Sequence, residues 1–338
     1  MMLLDCARNF FTVDEVKKVL DLLAGQHINT FHWHLTDDQG WRVEIRRYPL
    51  LTSSGPYYSQ EDVREVVSYA RKLGIEIIPE IEVPGHCSAA LAAYPHLGCR
   101  GEGYTIMSGM GVWEDVYCPG KEETFRFLED VFAEVVSLFP SEYVHIGGDE
   151  CRKERWRECP SCQARIAAEG LGSVEELQGW MLRRVERILG GMGRKVMAWD
   201  EAAGDSLSPS AVITCRYSDE RLSRTLESGR KVVLCPAYWC YFDYYQNADH
   251  SREPKAHVGL NPNLDLHTAY SFAPGTLYPA ERKAQVLGVE CCLWTEYIAT
   301  YVHLMYMLMP RLAAFAEVAW NGAGTNYEGF LERMEKLR

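Results

Sequence analysis

The chain has 338 residues, 47% apolar and 24% charged, with a formal net charge of −12. That is enough for a large core and ordinary for a globular protein, while so acidic a balance argues against nucleic acid or an anionic membrane as partner, since both demand a basic patch. No apolar run reaches the roughly 18 residues of a membrane span, and residues 1–6 lack the charged region and long apolar stretch of a signal peptide, which leaves the compartment unknown.

The predicted elements alternate. Residues 3–8 read as a strand ending in polar side chains. Helix 12–24 follows, with Thr12 and Glu15 spaced as a capping box and Gly25 after its last turn. Strand 28–35, helix 59–73 and strand 75–81 come next, then a glycine-rich polar insertion over 98–120 of the kind that carries binding residues. Helix 122–139, strand 143–147, helix 174–189 and strands at 195–199, 211–215 and 231–234 follow. A Tyr-rich loop over 238–270, strand 286–293 and helix 303–319 complete the pattern, and the last fifteen residues or so read as a polar tail. Eight short apolar strands, mostly separated by helices, predict a single α/β domain over 1–338 folded as a (β/α)8 TIM barrel. A doubly wound open sheet is the runner-up, weakened because no Gly-x-Gly-x-x-Gly follows the first strand.

The most informative stretch is Tyr143-Val144-His145-Ile146-Gly147-Gly148-Asp149-Glu150. A buried strand runs into two glycines, which let the backbone turn sharply against a ligand, and then into two carboxylates that face different atoms. Adjacent carboxylates disturb each other's protonation, which is one way to keep one of them protonated near neutral pH while the other stays ionised. Other strand ends carry the same kinds of residue: Arg8, then Asp37 and Asp38, Glu82 and His86, Trp199, Trp294 and Glu296. In a barrel these ends open onto one face, where active sites are built. The opposite ends carry plain turn residues, among them Gly25, Gly74, Pro140 and Gly193.

No phosphate-binding loop and no Gly-x-Ser-x-Gly elbow is present. His32 and His34 share one face of a strand and fit a hydrogen-bonded pair better than a metal site. Among twelve cysteines, Cys159-Pro-Ser-Cys162 with Cys151 eight residues earlier are the weak candidates for zinc. Three ligands without a second pair favour free thiols or a disulfide, so neither metal nor cofactor is expected. Nine Trp and nineteen Tyr exceed what packing usually needs, and aromatic faces are platforms for sugar rings. Carboxylates with aromatic walls point to glycoside hydrolysis.

Several of these stretches together resemble the catalytic domain of glycoside hydrolase family twenty, the β-N-acetylhexosaminidases. They are Phe31-His32-Trp33-His34-Leu35-Thr36-Asp37-Asp38-Gln39-Gly40-Trp41, Pro79-Glu80-Ile81-Glu82-Val83-Pro84-Gly85-His86, His145 to Glu150, and Trp294-Thr295-Glu296. The resemblance implies a (β/α)8 barrel without the small α/β domain that usually precedes it. It implies an exo-acting retaining enzyme whose attacking oxygen belongs to the substrate's own 2-acetamido group, forming an oxazolinium ion, one of the exceptions to the two-carboxylate scheme. By the same resemblance Glu150 is the general acid and base, and Asp149 accepts the acetamide N–H; an ionised Asp149 with apolar walls is then expected to raise the Glu150 carboxyl. Asp37 and His86 support Glu150. Trp180, Trp199 and Trp294 wall the acetamide, and Tyr241 bonds its carbonyl oxygen. Arg8, Glu296 and Asp243 hold the sugar's outer hydroxyls. The implied partners are glycans ending in N-acetylhexosamine; a homodimer is left open. Two alternatives stand beside this: release of a disaccharide in the manner of a lacto-N-biosidase, and a sugar-binding barrel without catalysis.

Overall fold

A computed structural model describes residues 1–202, 207–258 and 263–336. Its sheet is built from β1 (Met2–Asp5), helix α1 (Val13–Gly25), β2 (Thr30–His34), α2 (Gln60–Lys72), β3 (Glu76–Glu80), α3 (Glu122–Leu138), β4 (Tyr143–His145), α4 (Val174–Gly191), β5 (Lys195–Trp199), β6 (Val212–Cys215), α5 (Glu220–Glu227), β7 (Lys231–Leu234), β8 (Val286–Val289) and β9 (Cys291–Leu293). Every neighbouring pair is parallel, from β1 on β2 through to β7 on β8, and β9 returns to β1 with Leu3 opposite Cys292. The eighth predicted strand is thus present in two pieces, interrupted at Glu290. That residue's N–H donates to the Leu234 carbonyl at 2.9 Å and carries the sheet across the seam. The result is the expected (β/α)8 barrel.

Local chemistry sets the helix starts. Thr12 accepts from the Glu15 N–H and Glu15 reaches back, the capping box read from the sequence; Ser59 and Asp62 do the same for α2. Each such cap contributes about 1 kcal/mol. Val16, Val19, Leu20 and Leu23 form the buried stripe of α1. No helix among the described residues is long and apolar enough to cross a membrane.

Two readings of the sequence are corrected, and one stretch it left unassigned is filled. The predicted helix 303–319 is two, α6 (Tyr301–Leu308) and α7 (Arg311–Asn321), because Pro310 has no N–H to continue the ladder. The polar tail contains a helix, Tyr327–Lys336, that buries Phe330. The stretch after Glu150 holds two short helices, Glu154–Glu158 and Pro160–Glu169.

Branched apolar side chains usually fill such a barrel. Here part of the interior is polar: His32, Glu80, His145 and Glu290 are fully buried. His32 Nδ1 lies 3.0 Å from Glu290, His145 Nδ1 lies 2.7 Å from Glu80, and His34 Nδ1 lies 2.5 Å from the other Glu80 oxygen. Burial alone would raise the Glu80 carboxyl; the histidines outweigh it and hold it well below the usual range. This layer is the floor on which the site stands, since Trp199 Nε1 donates to Glu80 at 2.9 Å.

Candidate active site

The turn after β4 takes the shape its glycines allow. Gly147 has φ 66° and Gly148 φ 96°. A Cβ on Gly147 would stand 1.6 Å from Glu82 Oε2, and one on Gly148 2.7 Å from the Ala202 side chain. Neither position admits a larger residue. Glu150 (φ 45°) and His86 (φ 48°) also hold left-handed backbone, which costs a non-glycine residue on the order of 1 kcal/mol and collects at functional sites. The two strained residues meet: His86 Nε2 lies 3.4 Å from Glu150 Oε2.

Behind His86 the chain of charges continues. Its Nδ1 lies 3.2 Å from both Asp37 and Asp38. Asp37 in turn receives Arg8 Nη2 at 2.8 Å and His34 Nε2 at 2.9 Å. Burial works against the charge on His86, but Asp37 and Asp38 overcome it and keep the imidazole cationic well above its ordinary range. Asp37 is likewise desolvated, and Arg8 and His86 hold it ionised regardless.

Arg216 is the residue the sequence reading missed. It directly follows β6, so the rule that found the other strand ends would have found it. Its Nη1 lies 3.3 Å from Asp149 Oδ2 and its Nη2 3.4 Å from Glu150 Oε1, and it pairs with Glu201.

The protonation of the acidic pair is the reverse of the expectation. Asp149 is buried, and desolvation, with Glu150 adding to it, pushes its carboxyl up to about 6 against the pull of His86 and Arg216. The Glu150 side chain is 36% exposed. Its hydrogen bond to His86 and the charge of Arg216 lower its carboxyl. Burial differs between the two neighbours, and that difference decides which one takes up a proton more readily in the open site.

The aromatic residues divide. Trp294 and Tyr241 line the pocket with their rings 6.2 Å apart. Trp199 is fully buried behind Trp294, at 5.7 Å, and supports it rather than lining the cavity. Trp180 is elsewhere: on α4 it packs edge-on against Phe125 of α3, with Arg165 stacked on its ring. The expectation of a third pocket wall there is corrected; the α4 register points this side chain into the helical layer. Asp243 and Glu296 line the far end with Arg8, whose Nη2 is 3.9 Å from Glu296. Burial raises both carboxyls; Glu296 adds to the rise on Asp243, and Arg8 opposes it on Glu296. Buried polar atoms of six lining residues, Glu82, Asp149, Arg216, Tyr241, Asp243 and His257, lack a hydrogen-bond partner; Asp149 Oδ1 is an acceptor among them and the Tyr241 hydroxyl a donor.

Of the three candidate cysteines, Cys159 and Cys162 lie together while Cys151 does not join them; its sulfur faces the Arg152 carbonyl at 3.8 Å. The companions are Cys99 and Cys118, from the loop over 98–120.

The cavity bounded by these strand ends measures about 450 Å³. Glu150 stands on its rim and also borders a neighbouring cleft of about 670 Å³ lined by Gln178, Asp200, Glu201 and Arg221. The chain is similar to a β-hexosaminidase of Porphyromonas gingivalis, 40% identical over 98% of this chain and 44% of that one. It is 36% identical to a β-hexosaminidase of Vibrio furnissii over 93% of this chain and 55% of the relative. The chain therefore spans about half the length of these curated relatives. Among solved structures it superposes with a TM-score of 0.87 on the exo β-N-acetylglucosaminidase of Vibrio harveyi in complex with N-acetylglucosamine, at 37% identity, covering 94% of this chain and 53% of that one. The family model for the catalytic domain of glycosyl hydrolase family 20 matches residues 1–323, and the chain belongs to that family.

Proposed function

We propose that this barrel is an exo-acting, retaining β-N-acetylhexosaminidase that uses the substrate's 2-acetamido oxygen as its nucleophile. The observation that carries the reading is that, among the unpartnered buried atoms of the pocket lining, an acceptor, Asp149 Oδ1, and a hydroxyl donor, Tyr241, share the pocket with the Trp294 ring. An acetamide offers one N–H and one C=O, and an acceptor and a donor answer them in turn. With the N–H on Asp149 and the carbonyl oxygen on Tyr241, the amide is held for attack on the anomeric carbon. Asp149 then faces the positive charge that develops on the nitrogen. Trp294 covers the acetamide methyl.

Glu150 stands between pocket and cleft, where the glycosidic oxygen of a terminal sugar would lie. It protonates that oxygen as the bond breaks and then takes a proton from the water that opens the oxazolinium ring. In the open site His86 and Arg216 hold Glu150 ionised. A sugar and its leaving group bury the exposed side chain, and desolvation drives its carboxyl upward when the proton is needed. Arg8, Asp243 and Glu296 close the far end around the outer hydroxyls, which favours removal of one sugar over release of a disaccharide.

Hydrolysis of aryl β-N-acetylglucosaminide and aryl β-glucoside by wild type and Glu150→Gln tests the reading. We expect cleavage only of the acetamido substrate and near-complete loss in the variant. Equal cleavage of the plain glucoside would sink the assisted mechanism, and binding without turnover in the wild type would favour a sugar-binding barrel.

A further inference from the structure

Cys99, Cys118, Cys159 and Cys162 lie far apart in sequence and meet between two loops, one leaving β3 and the other leaving β4 after the acidic pair. Cys118, Cys159 and Cys162 are buried and Cys99 is half-buried. The four sulfurs lie within 4.8 Å of one another. Cys118 is 3.5 Å from Cys162 and 3.8 Å from Cys159, and Cys99 is 3.7 Å from Cys162. A disulfide needs about 2.05 Å and exclusive pairs; here Cys118 and Cys162 each approach two partners. A tetrahedral ion with metal–sulfur bonds of about 2.3 Å sets its four sulfurs about 3.8 Å apart. The cysteines of an iron–sulfur cluster are spread over two or four irons and need a wider cage.

The backbone around the sulfurs is arranged for close approach. Cys118 N–H donates to the Leu97 carbonyl at 2.9 Å and Gln163 N–H to the Cys159 carbonyl at 3.0 Å, fixing one ligand in each loop. Gly120 lies so close to the second loop that a Cβ there would stand 2.2 Å from the Ser161 carbonyl carbon.

We propose that these four cysteines bind one zinc ion as a closed tetrathiolate site that ties the loop after β3 to the loop after β4. Four sulfur ligands leave no open position for water, so the ion is structural. On binding, the thiols give up their protons to solvent and the sulfurs bond the metal without any change in oxidation state. Thiolates in this geometry select zinc over magnesium, calcium or manganese. The loops so joined run on to Val112, at the pocket rim, and back to Glu150.

The test uses the untagged full chain purified without chelator. Elemental analysis should give about one zinc per chain, X-ray absorption should show four sulfur neighbours at about 2.3 Å, and a mercurial should release the metal as the thiols are titrated. Cys118→Ser and Cys162→Ser should lose the zinc while Cys151→Ser retains it. If the serine variants fail to fold, the absorption spectrum and mercurial release on wild type decide the question. Chain without metal, disulfides among the four cysteines, iron in place of zinc, or zinc bound through nitrogen or oxygen would each overturn the proposal.

Discussion

The acidic pocket and the sulfur cluster hang from the same two strands and follow opposite rules. The pocket is built from residues close to the strand ends: Glu82 and His86 after β3, Asp149 and Glu150 after β4. It keeps polar atoms unpartnered and leaves Glu150 partly in water. The cluster is built from loop residues farther along the same connections, and its sulfurs lie within 4.8 Å of one another. A site that must receive a ligand stores unsatisfied groups and strained backbone; a site that holds loops together is closed on itself. The same carboxyl ends thus supply reactivity near the barrel and rigidity farther out, and mutations in the two regions should separate activity from stability.

The largest separation is expected at Glu150→Gln. Turnover of an aryl N-acetylglucosaminide should fall by about 10²–10⁴-fold, while thermal unfolding changes by about 0.5 kcal/mol or less. A matching loss of stability would blur the contrast. Asp149→Asn should also cost turnover heavily, yet stabilise the fold in a pH-dependent way. The folded carboxyl titrates near 6 and its ordinary value is 3.8. Between those values the native state binds the extra proton, so wild-type stability falls as pH rises through that window and the amide escapes the loss. The difference in Tm, variant minus wild type, should grow from pH 4 to about 6 and then level off; a flat difference would show that Asp149 titrates normally. His86→Ala removes the cation that holds Glu150 down, so the alkaline limb of kcat/KM should move to higher pH as activity drops by about tenfold; an unmoved limb would mean that Arg216 alone sets Glu150.

Cys162→Ser should show the opposite profile, with a Tm several degrees lower and turnover at 25 °C within about threefold of wild type. Loss of turnover in a still-folded variant would show that the loop staple positions the catalytic groups directly. The smallest effect belongs to Trp180→Phe, which keeps an aromatic ring against Phe125 and should leave KM for the acetamido substrate within about twofold. A large rise in KM would return this side chain to the pocket.

What could be read from the sequence follows the same division. Gly147-Gly148-Asp149-Glu150 was legible as a candidate site because strand, turn and acidic pair are contiguous, and the alternation of strands and helices led to the barrel. Trp180 was misplaced because a motif fixes the existence of a helix better than which face a residue occupies. Cys99 and Cys118 went unassigned because 41 residues separate Cys118 from Cys159, and spacing says nothing about which loops meet. The reversed protonation of Asp149 and Glu150 was not legible at all: it depends on one carboxylate being sealed and its neighbour left open, a property of packing alone. The helix over Tyr327–Lys336 was hidden by its charged residues, although Phe330 and its neighbours carried the amphipathic signal.

The interruption of the eighth strand at Glu290 bears on how the molecule is made. Because Leu3 pairs with Cys292, the barrel's first strand has no second neighbour until the barrel's eighth strand has been made. Until then β1 and the most recently made strand, at the last β7, are open sheet edges, able to pair with any other chain. Ring closure therefore waits on the final connection, a late long-range event of the kind that slows folding, and a nascent chain stopped before residue 286 would present both edges to the cell.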